Sequence, residues 1–311
     1  MFRLKPSRVF FALVLSSLAA GAIQKPPADA WLAKPVDDRT FQTYLEFFKY
    51  DSGLPFDPRI IEVSEMEGVR EEHLSFQSTP GVRIFANFFS VGGPTSPKPA
   101  SVIVLHLGDA QGKDSAGITR VAALLTRGGW NVLAIDMQYF GERSTDLLST
   151  FTEPEKHDRL YNQPSLYLDW VVQTVKDIGR SYDFLLHQKD ADPERIGLIG
   201  LSRGAITAEI AGGADRRLAA VVVMGGGHFD AQEREHLPAA CPANYIGRIS
   251  PRPLLMLHGK YDSDHVPETS VEPLYRLARR PKQILWFEGG HSFPPEESQA
   301  AMLKWLGENL K

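Results

Sequence analysis

From residue 101 onward the chain alternates short, continuous apolar runs with longer stretches whose apolar residues recur every three to four positions. SVIVLHL, WNVLAIDM, RIGLIGL, LAAVVVMGGG, RPLLMLHGK and KQILWFEGG are apolar runs of strand length, rich in Val, Ile and Leu, as strands buried on both faces require. ITRVAALLTRGG, SLYLDWVVQTVKDIGRSYDFLLHQ, RGAITAEIAGGA, VEPLYRLARR and EESQAAMLKWLGENL carry the helical period between and after them. Upstream, HLSFQSTPGVRIFANFFSV alternates on both sides of Thr79-Pro80-Gly81 and predicts a hairpin. TFQTYLEFFKYD sets Phe41, Tyr44, Leu45 and Phe48 at helical spacing, an amphipathic helix ending near Gly53-Leu54-Pro55. Alternating strands and helices predict an α/β fold, a mostly parallel twisted sheet with helices on both faces. Ligands in such sheets bind beyond the carboxyl ends of the strands, so chemistry is expected at residues 106–112, 136–143, 202–203, 225–230, 259–265 and 289–291.

The N-terminus changes the domain picture. Arg3, Lys5 and Arg8 precede the apolar run 9–18, and Ala20-Gly21-Ala22 closes it. This is the pattern of a signal peptide, too short for a comfortable membrane span. The expected division is a signal segment at 1–22, an extension with one amphipathic helix at 23–72, and the main domain at 73–311. Loss of residues 1–22 removes three positive charges and takes the formal net charge from −4 to −7, with no basic footprint for nucleic acid. The expected location is periplasmic or secreted. Export permits disulfides, but Cys241 is the only cysteine, so no bridge within the chain is possible.

The candidate chemistry lies at three strand ends. Gly200-Leu201-Ser202-Arg203-Gly204 reads G-x-S-x-G between a predicted strand and a predicted helix, the setting in which a nucleophilic serine stands on a sharp turn. The glycines allow strand and helix to approach without Cβ clashes, and the first N–H groups of the helix can hold an oxyanion. A serine needs a base to take its proton. His291, in WFEGGHSF, follows the last predicted strand. The imidazole needs an acid to fix its tautomer, and LLMLHGKYDSDHVP offers Asp262 and Asp264 after the preceding strand. The order Ser, Asp, His is that of the α/β-hydrolases.

From about residue 74 to 311 the chain resembles the α/β-hydrolases, and within them the dienelactone hydrolase, acetyl xylan esterase and prolyl-oligopeptidase-like branches. DPERIGLIGLSRGA resembles their nucleophile segment, SPRPLLMLHGKYDSDHVP their acid segment and EGGHSF their histidine segment. The resemblance implies Ser202 as nucleophile and His291 as base. Two residues separate the family's His-Gly from its acid, which selects Asp262. The family then has two residues before Val-Pro where this chain has Ser263-Asp264-His265, and this extra residue keeps Asp264 in view as an alternative acid. The oxyanion hole is expected from the N–H of Arg203 and a second N–H in the loop after the first central strand. That loop reads His106-Leu107-Gly108-Asp109 where the family usually has His-Gly. Leu107, Gly108 and Asp109 are candidates, and Gly108 is the one chosen.

The first expectation is hydrolysis of carboxylic esters through an acyl-enzyme, with a small-molecule or polymer-linked ester as substrate, and such a triad requires no cofactor. The sequence contains no H-E-x-x-H, no paired cysteines and no G-x-G-x-x-G after a strand. Residues 225–250 leave room for only a short lid, so the pocket is expected to be open and suited to small acyl groups or polymer side-chain esters. The alternatives are a prolyl-oligopeptidase-like peptidase, for which about 50 residues upstream are too few to build a propeller, and a noncatalytic binding protein on the same fold. His106 is read as structural, and His228 and His265 as solvated loop residues, with a place in the pocket lining as their alternative. Asp136, Glu142 and Arg143 are read as holding their own loop. The Arg203 side chain has two readings, a contact to substrate or a neighbouring carboxylate, or a surface salt bridge.

Overall fold

The computed structural model describes residues 30–91, 98–234 and 236–310. The signal-peptide segment expected at 1–22 and most of the GGPTSPKP loop lie outside the described residues. Among the described residues nine strands, β1 (Arg59–Met66), β2 (Val69–Gln77), β3 (Arg83–Val91), β4 (Ser101–Leu105), β5 (Asn131–Ile135), β6 (Ile196–Leu201), β7 (Val221–Met224), β8 (Leu254–Gly259) and β9 (Lys282–Phe287), form one sheet in the order β1-β2-β3-β5-β4-β6-β7-β8-β9. The first three strands and the β3–β5 pair are antiparallel. From β5 to β9 every pairing is parallel. The helices are α1 (Ala30–Ala33), α2 (Asp38–Leu45), α3 (Ala116–Arg127), α4 (Glu153–Lys156), α5 (Pro164–Gln188), α6 (Arg203–Ala214), α7 (Glu272–Leu277) and α8 (Glu296–Asn309).

Every residue of β4, β6, β7 and β8 is buried, because helices cover both faces. Strand periodicity sorts their side chains into two cores. Ile103, Leu198, Val223 and Met256 face the layer that holds Trp170, Val171 and Ile178 of α5. Val104, Ile199, Val222 and Leu257 face Ile118, Val121 and Leu125 of α3 and Met302 and Leu306 of α8. Helix α2 begins where the Asp37 carboxylate accepts the Thr40 N–H at 2.8 Å, a side-chain cap. Its Phe41 packs edge-on against Tyr245, which docks the N-terminal helix on the sheet domain. Strand β1 and the start of β2 fall inside the segment 23–72 and belong to the sheet, with all eight residues of β1 exposed along its edge.

Parallel register decides where the site falls. Leu201 pairs with Met224, Met224 with Leu257, and Gly259 with Phe287. The loops that leave β6, β7, β8 and β9 therefore emerge along one edge of the sheet.

Candidate active site

Ser202 follows the last residue of β6 and precedes the first of α6. Its backbone sits at φ 50°, ψ −113°, a region that a residue with a Cβ adopts only under strain, at a cost of about 1–3 kcal/mol. The surroundings enforce it. A Cβ at Gly200 would lie 2.2 Å from the Gly204 carbonyl oxygen, and one at Gly204 would lie 2.5 Å from that of His106. The Ser202 N–H donates to Met224 O at 2.8 Å, tying the turn to the end of β7. Ala205 and Ile206 donate to Ser202 O, so the N–H groups of Arg203 and Gly204 are those left without a carbonyl partner in the first turn of α6.

Ser202 Oγ lies 2.8 Å from His291 Nε2, and His291 Nδ1 lies 2.9 Å from Asp262 Oδ2. The other Asp262 oxygen accepts the N–H groups of Asp264 and His265, each at 2.9 Å. The Asp262 side chain is 1% exposed. Burial raises its pKa, but the His291 hydrogen bond and the His265 N–H outweigh burial and hold it below the usual carboxylate range. Burial lowers the pKa of His291, while its bond to Asp262 and the charges of Asp262, Asp264 and Asp230 lift it above the ordinary value. Asp264 Oδ2 is 3.9 Å from His291 Nε2, on a side chain 57% exposed. Of the two sequence candidates for the acid, Asp262 is the one bonded to Nδ1.

The loop after β4 is held from three sides. Asp109 N donates to Leu107 O at 2.9 Å, which commits that N–H and leaves those of Leu107 and Gly108. Lys156, 5% exposed, donates to Gly108 O and pairs with Glu153. The Tyr161 hydroxyl occupies the space 2.8 Å from where a Cβ at 108 would stand. Lys156 and Tyr161 belong to one cap segment, α4 and the π-helical turn His157–Tyr161 that continues it; π turns recur at functional sites. The same segment grips the other half of the site. His157 Nε2 is 2.8 Å from Asp230 Oδ2, and Asn162 exchanges hydrogen bonds with Gln232 O and Arg234 N. The Arg203 guanidinium lies 3.7 Å above the Tyr161 ring, donates to Asp230 at 2.6 Å and also pairs with Glu233. Burial lowers the pKa of Arg203, and the charge of Glu233 more than reverses this. Its side chain is thus a buried clamp on two carboxylates, not a surface salt bridge.

Several other histidines were placed by the sequence. His106 is buried, with Nδ1 on Leu107 O and Nε2 accepting Met137 N–H at 3.0 Å. Burial lowers its pKa to about 4, so it links the ends of β4 and β5 as a neutral ring. His228 and His265 are buried rather than solvated. His228 stacks on Phe229 with ring centroids 4.3 Å apart, and His265 sits under the loop that its own N–H joins to Asp262, because the segment after β8 folds inward over the sheet edge. Asp136 accepts N–H bonds from Lys113 and Glu142, and burial lifts its pKa to about 6. Arg143 reaches beyond that loop to Asp177 at 2.6 Å. Sequence reasoning missed Lys156, His157 and Tyr161. The available signal was the unusual length of chain between WNVLAIDM and the helix that begins at Pro164.

Ser202 and His291 stand between two chambers. One, of about 280 Å³, is walled by Leu107, Leu201, Met224, Phe293 and Pro294, with Ala116 and Gly117 at the start of α3. The other, of about 300 Å³, is walled by Asp109, Lys156, His157, Arg203, Asp230 and Asp264. Among the described residues no helix is long and apolar enough to cross a membrane.

Over 232 residues the chain is 28% identical to the uncharacterized protein YfhR of Escherichia coli (strain K12), covering 70% of this chain and 72% of that protein. The acetyl xylan esterase from Paenibacillus sp. R4 superposes with a TM-score of 0.69 at 16% identity, over 91% of this chain and all of that one. Acetyl xylan esterase 1 from Thermoanaerobacterium sp. JW/SL YS485 superposes with a TM-score of 0.62 at 15% identity, over 92% of this chain and 99% of that one. At such identities the two structures share the fold, an α/β-hydrolase fold. The model of the dienelactone hydrolase family matches residues 89–306, a span that holds Ser202, Asp262 and His291 together with the cap segment, and the chain belongs to that family.

Proposed function

We propose that the protein hydrolyses carboxylic esters by a serine mechanism. Ser202 Oγ attacks the ester carbonyl carbon as its proton passes to His291 Nε2. The carbonyl oxygen becomes an oxyanion held by the N–H groups of Arg203 and Gly108. Collapse breaks the bond to the alcohol oxygen, which leaves with the proton from Nε2 and so yields an acyl-serine. Water then attacks the acyl carbon and gives a proton to Nε2. The second collapse frees the acid and returns that proton to Ser202. Asp262 keeps Nδ1 protonated throughout, so that Nε2 is the basic nitrogen.

The observation that carries this reading is the hydrogen-bonded series Ser202, His291, Asp262 at 2.8 and 2.9 Å. Family membership and the esterases among the structural neighbours support ester hydrolysis. The charged, apolar and small-residue sequence of residues 1–22 supports export to the periplasm or beyond. The test is labelling by a fluorophosphonate, with the adduct located by peptide mass spectrometry, and hydrolysis of short p-nitrophenyl esters by wild type and Ser202→Ala. Labelling at Ser202 and loss of turnover in the variant are expected. Equal rates in both proteins, or no label at Ser202, overturn the mechanism. Cleavage of a prolyl peptide amide without ester cleavage makes the protein a peptidase.

A further inference from the structure

The two chambers at Ser202 are chemically unlike, and an ester has two unlike halves. We propose that the apolar chamber receives the acyl chain and selects chains of about six to eight carbons over acetyl, while the polar chamber receives a neutral, hydroxyl-rich alcohol. This rests on the ester-hydrolase reading above.

The assignment follows from where the proton travels. The departing alcohol takes its proton from His291 Nε2, and the attacking water returns one to the same atom, so water must enter where the alcohol left. Asp264, 3.9 Å from Nε2, and the ionic groups behind it wet the polar side. The acyl group stays bonded to Ser202 between the two steps and must occupy the other chamber. Size then sets its length. About 280 Å³ holds about nine groups of the volume of a water molecule, so an acetyl methyl leaves most of the apolar wall in contact with water. Full burial of each added methylene raises kcat/KM about fourfold until the chamber is filled. The floor is packed, since a Cβ at Gly117 would lie 3.0 Å from Leu107 Cδ2 and 3.7 Å from Leu201 Cδ2. Arg120, 5.8 Å above the Phe293 ring, marks the rim.

The polar chamber selects by hydrogen bonding, not by charge. Lys156 is held by Glu153, and Arg203 and His157 by Asp230, so its cations are already matched within the protein. An anionic alcohol finds no unmatched cation there among the described residues. Neutral hydroxyls find both donors and acceptors. The preference for longer acyl chains departs from the small acyl groups that the sequence implies.

The experiment is kcat/KM for p-nitrophenyl esters from acetate to decanoate, in wild type and in Ala116→Trp, with hexanoyl esters of glucose and of hexanol as the alcohol pair. Ala116 is the exposed first residue of α3, and thermal melting of the variant checks that it folds. Four methylenes separate hexanoate from acetate, so wild type is expected to favour hexanoate by about tenfold at partial burial and about 250-fold at full burial, and to decline at decanoate. In Ala116→Trp the hexanoate-to-acetate ratio is expected to fall by about tenfold. The glucose ester is expected to be preferred to the hexanol ester. Acetate as the best wild-type substrate overturns the proposal, even if the variant fails to fold. A variant that alters selection among alcohols but not among acyl chains also overturns it, by reversing the chambers. Absence of both fluorophosphonate labelling and ester turnover refutes the ester-hydrolase reading itself, a different result from active hydrolysis with the wrong length profile.

Discussion

Replacing Asp262 by Asn tests the proposed mechanism at its most buried link. The carboxylate accepts three hydrogen bonds, two from backbone N–H groups on one oxygen and one from His291 on the other. An amide has a single oxygen, which the two N–H groups retain, so its NH2 turns toward His291 Nδ1. Two donors cannot face each other there, and the imidazole shifts its proton to Nε2, where Ser202 needs a lone pair. The expected loss in kcat is about 10⁴-fold, or about 5.5 kcal/mol of barrier. Asp264→Asn is the matched control. Its carboxylate is 3.9 Å from Nε2 and mostly in water, where a charge is screened, and its backbone N–H to Asp262 survives, so kcat is expected to stay within about threefold of wild type. The pH profile gives a second reading. The neutral imidazole is the active form, and His291 lies above its ordinary value of 6.5, so the acid limb of wild-type kcat/KM rises through a pKa above 6.5. Without the Asp262 charge the pKa falls, and the residual activity of Asp262→Asn has its acid limb at lower pH. Steady-state kinetics on a p-nitrophenyl ester across the neutral range measures both. Asp262→Asn within tenfold of wild type, or Asp264→Asn as damaging as Asp262→Asn, refutes the assignment of the acid.

Three further outcomes are expected. Ser202→Gly relieves the strained turn at φ 50° that Ser202→Ala retains, so urea unfolding should find the glycine variant about 1 kcal/mol the more stable; equal midpoints would remove strain from the account. Lys156→Met frees the Gly108 carbonyl and should lower kcat by about 10–100-fold, less than the 10²–10³ typical of losing an oxyanion donor outright, with little change in KM; an unchanged kcat would detach Lys156 from the loop's function. Arg203→Met keeps its backbone N–H but strands Glu233, whose side chain is 0% exposed, and should cost about 3–5 kcal/mol of stability in denaturant titration. A loss below about 1 kcal/mol would mean that His236, 3.4 Å from Glu233, suffices as its partner.

Much of this molecule is written in local patterns. The apolar runs that become β4, β6, β7 and β8 are legible because both faces are buried, and Ser101 at the start of β4 and His258 near the end of β8 are the polar residues in them. Gly200 and Gly204 around Ser202 are legible because strand and helix touch there. Asp262 and Asp264 were harder to tell apart. They lie two residues apart in one loop, and only the fold of that loop turns one toward Nδ1 and the other toward solvent. The cap segment left no comparable trace. Lys156, His157 and Tyr161 act through partners 48, 73 and 42 positions distant in the chain, and neither a helical period nor a motif records such pairings. Strand β1 was absorbed into the extension for a related reason. Exposed on both faces, it lacks the apolar alternation that marks a half-buried strand. His228 and His265 look like loop residues and are buried because long-range packing, not composition, closes those loops.

The cap segment that holds Gly108 also lines the polar chamber. Under the proposed mechanism, the part of the protein that meets the alcohol is thereby mechanically joined to the part that steadies the transition state. A family member that rebuilds its cap to admit a new leaving group disturbs its own rate machinery at the same stroke. The opposite wall is made by the start of α3 and by residues 292–294, which directly follow His291. Under the proposed chamber assignment, acyl preference can change at the start of α3 with less disturbance to the catalytic groups, whereas change on the alcohol side must come in compensated steps.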